Sequence, residues 1–338
     1  KNLLLLCFCS HQVLAADCKD VNGNTKTFST DCSDLDIAGD GSNVTINLGV
    51  TINKTGGTAL GLRNTTNTTI TNNGTISATG NYGMRNTLNS TISNLTNNGT
   101  ISAGVNTGLR NGIGTTITIL TNTGTISAVG EYGLQNKSGT IGTITNSGTI
   151  SAGTNYGLHN FDSSSTITTI TNSGTISASG HNGLRNKGVI TTITNTGTIS
   201  AGTNYAVYNH GSIGTFTNTG SLTPTGSHEI SNDGTITTFN NSQGKSGSNV
   251  VDWMKVLPTN YNVIVNSASD YGQIDFDNFT GTTTFDVHSS STLAASTTYS
   301  SVLSGLSSSD IASGTSGSIV SGSSRKDWTL DNSSGSLW

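Results

Sequence analysis

The fold is decided by a repeated stretch whose clearest copy, Ile92–Asn111, reads ISNLTNNGTISAGVNTGLRN. Its opening Ile and closing Asn are separated by 19 positions (111 − 92), and the same separation returns in five later copies. Only the linker between copies varies, from 4 to 7 positions. A core of constant length with all length variation in one loop is typical of stacked repeat proteins. The later copies are Ile117–Asn136, Ile141–Asn160, Ile167–Asn186, Ile190–Asn209 and the more divergent Ile213–Asn232.

Each copy has the pattern of short strands and tight corners. The segment Gly-Thr-Ile-Ser-Ala alternates, so its Ile lies on one face and its Thr and Ser on the other. The segment Tyr-Gly-Leu-x-Asn also alternates and predicts Tyr132, Leu134 and Asn136 on one shared face. The Asn-x-Gly before the Thr-Ile-Ser strand supplies residues that tolerate left-handed φ at a corner. The isoleucines predicted to point inward are Ile101, Ile126, Ile150, Ile176 and Ile199.

Three short strands and three corners in about 24 residues predict an all-β fold, a right-handed parallel β-helix (β-solenoid). One coil buries too little apolar surface to offset the entropy of ordering its chain, so coils depend on their neighbours and the ends on caps. Equivalent residues stack at roughly 4.8 Å. The stacking predicts a ladder in which each side-chain amide bonds the amides above and below. The predicted ladder is Asn72, Asn97, Asn122, Asn146, Asn172, Asn195 and Asn218.

The repeat divides the chain into four predicted segments. Residues 1–16 are predicted to be a signal peptide, because Lys1 precedes an apolar run that ends in small residues at Ala15 and Ala16. Residues 17–57 are predicted to be an N-terminal cap, 58–245 the repeat β-helix, and 246–338 the C-terminal coils and cap, which contain larger aromatic side chains. In an exported chain, Cys18 and Cys32 are predicted to form a disulfide that holds the N-terminal cap.

Charge is sparse along the whole chain: 9% of the residues are Asp, Glu, Lys or Arg, and the net charge is −4. A nucleic-acid-binding domain is expected to carry a basic patch or stripe, so this balance argues against that class. The apolar run near the N-terminus falls far short of the roughly 20 residues that a transmembrane helix needs, and no other stretch comes closer. Export is therefore expected, without a membrane-spanning helix.

The sequence offers little for catalysis or metal binding. Between Gly61 and Asn240 the acidic residues are sparse and fall at different positions of different coils, so they do not form a catalytic pair. Near the N-terminus Asp34, Asp36 and Asp40 have the spacing of a calcium loop, but the later Glu of such a loop is missing. The chain is therefore predicted to be non-enzymatic, with no cofactor and no metal.

One column of the repeat, between the inward Leu and the closing Asn, is predicted to point outward and to carry charge. Two interpretations are open. The four arginines could form a stripe that contacts an anionic surface such as an acidic glycan, or the column could be a hydrated edge whose long side chains cover apolar surface. The column is Arg63, Arg85, Arg110, Gln135, His159, Arg185 and Tyr208.

A second outward array consists of hydroxyl groups. The Thr-Ile-Ser strands predict two parallel columns, about 6.7 Å apart along the strand and roughly 4.8 Å apart between coils. Such spacing is similar to that of solenoid ice-binding faces, although Ser replaces Thr in the second column. The preference of Thr and Ser for an exposed strand face explains the same pattern without a ligand. The pairs are Thr100/Ser102, Thr125/Ser127, Thr149/Ser151, Thr175/Ser177 and Thr198/Ser200.

The repeats TITNxGTISA and NYGLxN resemble the β-helical passenger domains of bacterial autotransporters, the type V secreted surface proteins. Residues 271–305 are similar to the end of such passengers, with Tyr271-Gly-Gln-Ile and Gly281-Thr-Thr-Thr-Phe. Asp327-Trp-Thr-Leu stands where a passenger leads into its membrane barrel, which would follow Trp338. The resemblance implies export through both membranes and display at the bacterial cell surface, or release from it.

The expected function is that of a non-catalytic, adhesin-like passenger, cell-surface-displayed or secreted. It would bind cell or abiotic surfaces, glycans or itself through a long repetitive face, with no nucleic acid as partner and the outer membrane contacted only through the barrel. An alternative is a secreted ice-binding or extracellular matrix protein that uses the Thr/Ser array. A second alternative is a β-helix enzyme that acts on polysaccharides.

Overall fold

In a computed structural model the chain folds as an all-β parallel β-solenoid of about 11 turns, with about 24 residues in each coil. The structure describes residues 16–18, 20–226, 228–244, 250–321 and 324–331. Within these residues, two sheets of 13 strands and one sheet of 9 strands run along the solenoid, and their strands pair in parallel. The β-solenoid predicted from the repeat is confirmed. Of the predicted signal peptide, only Ala16 lies among the described residues.

The strands of each sheet come from successive coils. Sheet 1 contains β1 (Val21–Asn22), β4 (Leu35–Ala38), β7 (Thr58–Arg63), β10 (Tyr82–Thr87), β13 (Thr107–Asn111), β16 (Tyr132–Asn136), β19 (Tyr156–Asn160), β22 (Asn182–Asn186), β25 (Val207–Asn209), β28 (Ile230–Asn232), β30 (Val251–Val256), β34 (Ile274–Thr280) and β36 (Leu303–Ser304). Sheet 2 contains β2 (Thr25–Phe28), β5 (Asn43–Ile46), β8 (Thr68–Asn72), β11 (Thr91–Asn97), β14 (Thr116–Asn122), β17 (Thr140–Asn146), β20 (Thr166–Asn172), β23 (Val189–Asn195), β26 (Ser212–Asn218), β29 (Thr235–Asn241), β31 (Asn260–Val263), β35 (Thr283–Val287) and β37 (Ile311–Ser313). Sheet 3 contains β3 (Cys32–Ser33), β6 (Thr51–Lys54), β9 (Thr75–Ala78), β12 (Thr100–Ala103), β15 (Thr125–Ala128), β18 (Thr149–Ala152), β21 (Thr175–Ala178), β24 (Thr198–Ala201) and β27 (Ser221–Pro224).

A few elements lie outside these sheets, all near the C-terminal end. Strands β32 (Val265–Ser267) and β33 (Asp270–Tyr271) form a small antiparallel pair, and β38 (Ser316–Ser321) pairs antiparallel with β39 (Ser324–Thr329). The one helical turn of the described residues is 3-10 helix η1 (Ser308–Asp310). None of the described helical structure reaches the length and apolarity needed to cross a membrane.

The core is a set of stacked apolar columns that runs through the solenoid. The five isoleucines predicted to point inward are completely buried, as are their neighbours from the other two sheets. Parallel pairing places each Ile directly against the Ile of the next coil, for example Ile126 against Ile150. Consecutive coils nevertheless differ in length, with separations of 25, 24, 26 and 23 residues between equivalent positions. The difference is absorbed at the corner between sheets 1 and 2, as the variable linker predicted.

The Asn-x-Gly corners differ from the prediction. Their glycines do not adopt left-handed φ, so the expected reason for glycine at this position is wrong. The reason is crowding: a Cβ on Gly148 would lie 2.0 Å from the carbonyl oxygen of Gly124 in the preceding coil. Left-handed residues are found instead at the variable corner, where Gly114 has φ of 68° and Ser138 has φ of 52°.

The predicted asparagine ladder is present and completely buried. The Nδ2 of each Asn donates to the Oδ1 of the Asn in the following coil, with distances of 2.7 to 2.9 Å from Asn72 through Asn218. The ladder continues from Asn218 to Asn241 at 3.2 Å. From Asn72 through Asn195 each Nδ2 also donates to one or two backbone carbonyls, as Asn146 does to Gly148 and Thr175, whereas that of Asn218 donates to the side chain of Gln243. We call this column the first Asn ladder.

A second Asn ladder, which the sequence analysis did not identify, follows the corner after sheet 1. It is formed by the closing Asn of each repeat, and its bonds measure 2.7 to 2.9 Å. The constant 19-residue separation of this Asn from the opening Ile was the signal that could have revealed it. Its members are Asn86, Asn111, Asn136, Asn160, Asn186, Asn209 and Asn232.

The two ends of the solenoid are closed in different ways. At the N-terminal end Cys18 and Cys32 form the predicted disulfide, and strands β1 to β6 of the segment predicted as a cap already belong to the three sheets. At the C-terminal end the last strand of sheet 3 among the described residues is β27, while sheets 1 and 2 continue. Aromatic rings fill the last coils, and Trp328 of β39 packs edge-on against Phe285 with ring centroids 5.5 Å apart.

We expect that Asn146→Ala lowers the free energy of unfolding by about 3 kcal/mol, because it leaves the buried amide groups of Asn122 and Asn172 with a missing partner. The matched control is Asn98→Ala, since Asn98 bonds Asn73 and Thr123 at the exposed surface, and we expect about 0.5 kcal/mol or less there. Urea denaturation of both variants measures the difference. Equal losses would show that the ladder contributes nothing beyond an ordinary surface amide.

Candidate ligand-binding face

The outer surface of sheet 1 carries the charged column that the sequence predicted, with one exception. Arg85 lies beside Arg110, and the column continues through Gln135 and His159 to Arg185. It then reaches Tyr208 in the following coil. These side chains therefore share one line along the solenoid.

Arg63 is not part of this column, so its predicted alignment is wrong. Strand β7 pairs with β10 so that Gly61 lies beside Arg85, while Arg63 lies beside Thr87. The guanidinium of Arg63 forms an ion pair with Asp36 of the preceding coil. A shift of two residues preserves which side chains point inward, so the alternation pattern could not distinguish the two registers.

The N-terminal acidic residues with calcium-loop spacing are engaged with the protein itself. Asp34 forms an ion pair with Lys54, and Asp36 with Arg63. Asp40 accepts a hydrogen bond from the backbone N–H of Thr66 at 2.8 Å. Among the described residues, no three His, Cys, Asp or Glu side chains come together as a group that could hold a metal ion.

The tyrosines of the Tyr-Gly-Leu-x-Asn segment lie on the outer surface, contrary to the prediction that Tyr132 shares the inward face of Leu134. Gly133 takes a crowded buried position, where a Cβ would lie 2.7 Å from the carbonyl oxygens of Ser151 and Gly157. The alternation therefore breaks at the Tyr-Gly step. The rings of Tyr132 and Tyr156 stack across adjacent coils, with centroids 5.7 Å apart and planes inclined by 27°.

His159 is buried beneath these tyrosines and is not the solvated side chain that the sequence suggested. Only 2% of it is exposed, and its ring packs against Tyr132, Tyr156 and Phe161 with centroid distances of 5.2, 4.7 and 5.0 Å. Burial, reinforced by the positive charge of Arg185, lowers the pKa of His159 to about 3. Both ring nitrogens lack a hydrogen-bond partner among the described residues. His159 is therefore neutral at physiological pH.

The arginines of the column pack against tyrosine rings. The guanidinium carbons of Arg85 and Arg110 lie 5.1 and 5.3 Å from the centroid of Tyr82, and Arg110 donates to the Tyr82 hydroxyl at 2.6 Å. Arg185 lies 4.9 Å from the Tyr156 ring centroid and donates to its hydroxyl. Such cation–π contacts hold an arginine in place without neutralising its charge.

We call this surface the Tyr–Arg stripe. The three arginines of the stripe form no ion pair with any described carboxylate, and their Nε atoms lack a hydrogen-bond partner there. The charge of each is therefore available to a ligand. The stripe comprises Tyr82, Arg85, Arg110, Tyr132, Tyr156, His159, Arg185 and Tyr208.

Charge is distributed unevenly along sheet 1. The stripe arginines lie on the fourth, fifth and eighth of its 13 strands, β10, β13 and β22. Beyond the stripe, Asp233 accepts from the Tyr208 hydroxyl at 2.8 Å and pairs with Lys255 at 2.9 Å. Farther along, Asp252 and Asp275 lie side by side in adjacent coils, and burial and the charge of Asp275 raise the pKa of Asp252. This distribution of charge would favour an anionic ligand at the stripe arginines over the C-terminal end of the sheet.

The predicted Thr/Ser array lies on the outer surface of sheet 3 in the predicted register, with Thr beside Thr and Ser beside Ser. A second array on sheet 2 was missed, and it has Thr at both positions. The signal was present in the repeated Thr-x-Thr that precedes the first-ladder Asn. The aligned pairs are Thr143/Thr145, Thr169/Thr171, Thr192/Thr194 and Thr215/Thr217.

The two best-defined cavities lie elsewhere, at the C-terminal end. The larger, of about 800 Å³, lies between the last coils and the β38–β39 hairpin and is lined by Phe285, Leu293, Tyr299 and Trp328 among others. The smaller, of about 310 Å³, is lined by residues that include His288 and Val320. The stripe and the hydroxyl arrays, in contrast, are exposed faces that run along the rod.

Comparison with family models, with curated proteins and with solved structures gives no match to this chain. The function proposed below is therefore inferred from the chemistry of these faces and from the resemblance of the repeat.

We expect the stability of the protein to fall as the pH drops from about 6.5 toward 3, because the unfolded chain protonates its histidine first. The pKa of His159 is lowered to about 3 in the folded state, so its contribution is present above pH 6.5 and is lost progressively below it. The variant His159→Gln removes this pH dependence, because glutamine does not titrate. Glutamine also suits the position, since Gln135 occupies the equivalent place in the preceding coil. Relative to this variant, the wild type should lose on the order of 2–3 kcal/mol between pH 7.5 and pH 4.

Urea denaturation at the two pH values measures this difference. His181→Gln is the control, since His181 is exposed. Parallel pH dependence of the wild type and His159→Gln would contradict the assignment of a buried, neutral His159.

Proposed function

We propose that this chain is a non-catalytic, adhesin-like β-solenoid that is exported and acts at the bacterial cell surface or after release from it. The observation that supports this function best is the repetition of outward chemistry. Side chains of one kind recur in register along each sheet, so a contact made at one coil can be made again at the next. Repeated contacts on one rigid body act as a multivalent surface, in which many weak interactions add to strong binding.

Two further observations favour export. Cys18 and Cys32 are joined by a disulfide, and disulfides persist in oxidising compartments outside the cytoplasm. The solenoid is also built from contacts between adjacent coils, so it can fold progressively from one end as the chain emerges from a membrane. Both features suit the route implied by the resemblance to autotransporter passengers.

The test uses beads that carry the full chain through its C-terminal end, so that the rod projects from the bead. We expect these beads to clump or to attach to cell and glass surfaces more than albumin-coated beads. The effect should rise more steeply than linearly with coating density, because multivalent contacts form only when several rods engage together. Clumping and attachment equal to those of the albumin beads at every density would overturn the proposal.

A second candidate function is supported by the hydroxyl array of sheet 2. We propose that this face binds ice or another regular, hydrated surface. Its threonines present methyl and hydroxyl groups at regular intervals of about 6.7 Å along the strand and roughly 4.8 Å between coils. Apart from Thr217, which accepts from Asn240, their hydroxyls make no hydrogen bond to another described side chain or backbone group. The array is therefore regular and available to water.

Thermal hysteresis of the purified chain tests this candidate. We expect a measurable hysteresis that falls by at least half in the double variant Thr169→Lys and Thr192→Lys, because two lysines interrupt the ordered array. The matched control is Thr175→Lys with Thr198→Lys, which alters sheet 3 of the same two coils. Hysteresis that is absent from the wild type, or that is lost equally in both double variants, contradicts ice binding by sheet 2.

A further inference from the structure

We propose that the Tyr–Arg stripe binds a chain of an acidic polysaccharide that lies along the solenoid axis. This inference deepens the proposed adhesin-like function and rests on it, because it names one surface and one class of ligand. In this arrangement the arginines pair with carboxylate or sulfate groups of the chain, and the sugar rings pack on the tyrosines between them.

The cations of the stripe are held in place and unneutralised. Among the described residues, the guanidinium groups of Arg85, Arg110 and Arg185 make their cation–π contacts and hydrogen bonds with tyrosines. Arg63, one strand away from this column, is instead paired with Asp36. A guanidinium is planar and can bind a carboxylate or sulfate through two parallel hydrogen bonds. The Nε of each of the three arginines is buried, so the terminal nitrogens of the guanidinium are the donors that can meet a ligand.

The centre of the stripe is aromatic and uncharged. Tyr132 and Tyr156 are stacked and half-buried, and the neutral ring of His159 supports them from below. Tyrosine combines an apolar ring with a polar hydroxyl, which suits the alternating apolar and hydroxyl-bearing surfaces of a sugar. The order of chemistry along the axis is therefore cation, aromatic ring and cation again.

The shape of the stripe favours a polymer over a small molecule. From Arg85 to Tyr208 the column crosses five steps between coils, or roughly 24 Å at about 4.8 Å per step. The two best-defined cavities lie at the C-terminal coils and not on this face. An extended chain can contact all of this length, whereas a single sugar can contact only one coil.

A nucleic acid fits the face less well. Single-stranded nucleic acid also combines stacking with phosphate contacts, but such proteins surround the backbone with many cations. This chain has a net charge of −4, and the acidic C-terminal end of sheet 1 would repel a long polyanion of high charge density. A polysaccharide with more widely spaced anionic groups is the better match.

The experiment measures binding of the full chain to immobilised polygalacturonate, a carboxylated chain, and to dextran sulfate, a sulfated one. Neutral dextran, inorganic polyphosphate and a single-stranded oligonucleotide serve as comparison ligands. We expect binding to at least one acidic polysaccharide, weakened by salt, with much weaker binding to the three comparison ligands. Which of the two acidic polymers binds more tightly identifies the anionic group.

The variants Arg110→Gln and Arg185→Gln should each weaken this binding about tenfold, since each removes a charge-assisted contact. Tyr156→Leu should weaken it about fivefold, and Arg110→Lys should fall between the wild type and Arg110→Gln because it keeps charge without the planar fork. The matched control is Arg63→Gln, which removes one positive charge outside the column and should change affinity less than twofold. Melting temperatures check that each variant is folded.

Several results would overturn the inference. One is the absence of binding to both acidic polysaccharides. Another is binding to polyphosphate or to the oligonucleotide as tight as binding to the acidic polysaccharides. A third is an equal loss of affinity in Arg63→Gln and Arg110→Gln. Either of these two results would show that charge alone governs the contact. If the beads clump or attach but the purified chain does not bind acidic polysaccharides, this inference is contradicted and the adhesin-like function is not. If the beads neither clump nor attach to surfaces, the proposed function itself is contradicted.

Discussion

A buried asparagine amide in either ladder needs the equivalent amide of the next coil to complete its hydrogen bonds, and the rest of the structure depends on that constraint. A primary amide carries two donors and an acceptor, and leaving any of them unpaired in the core costs more than most packing contacts contribute. In both ladders the amide nitrogen bonds the next amide and the corner carbonyls, so the corner and the neighbouring coil are fixed together. The ladders therefore set the register of all three sheets.

The beginning of the second Asn ladder shows what happens where this constraint is not met. Leu62 lies beside Asn86 in the preceding coil, and the Oδ1 of Asn86 has no hydrogen-bond partner among the described residues. The same local register removes Arg63 from the outer column and places it opposite Asp36. From Asn86 onward the ladder is continuous, and so is the alignment of the outer side chains. The hydrogen bonds between asparagine amides inside the core thus align the outer side chains that form the Tyr–Arg stripe and the hydroxyl arrays.

Much of the fold was predictable because the spacing of the repeat gives the length of a coil and the residue types show which side chains are buried. The inward isoleucines, the first Asn ladder, the variable corner and the Cys18–Cys32 disulfide follow from spacing and residue type. The errors have physical causes. Residues Leu60 to Arg63 fit two registers that differ by two positions and bury the same face, and only three-dimensional pairing decides between them. The outward turn of Tyr132 and the burial of His159 depend on crowding at Gly133 and on contacts between coils, which no single repeat contains.

Every rung of a solenoid has two neighbours except the first and the last, so such a rod frays from its ends. The Cys18–Cys32 bond closes the first described coil covalently, and near the C-terminal end of the described residues the antiparallel β38–β39 hairpin packs Trp328 against Phe285. Tension along the axis would load the rungs in series, and an open end rung would peel away first. Where the disulfide and the Trp328 ring hold the outer described coils, separation along the axis would have to begin between interior coils, each of which is held from both sides.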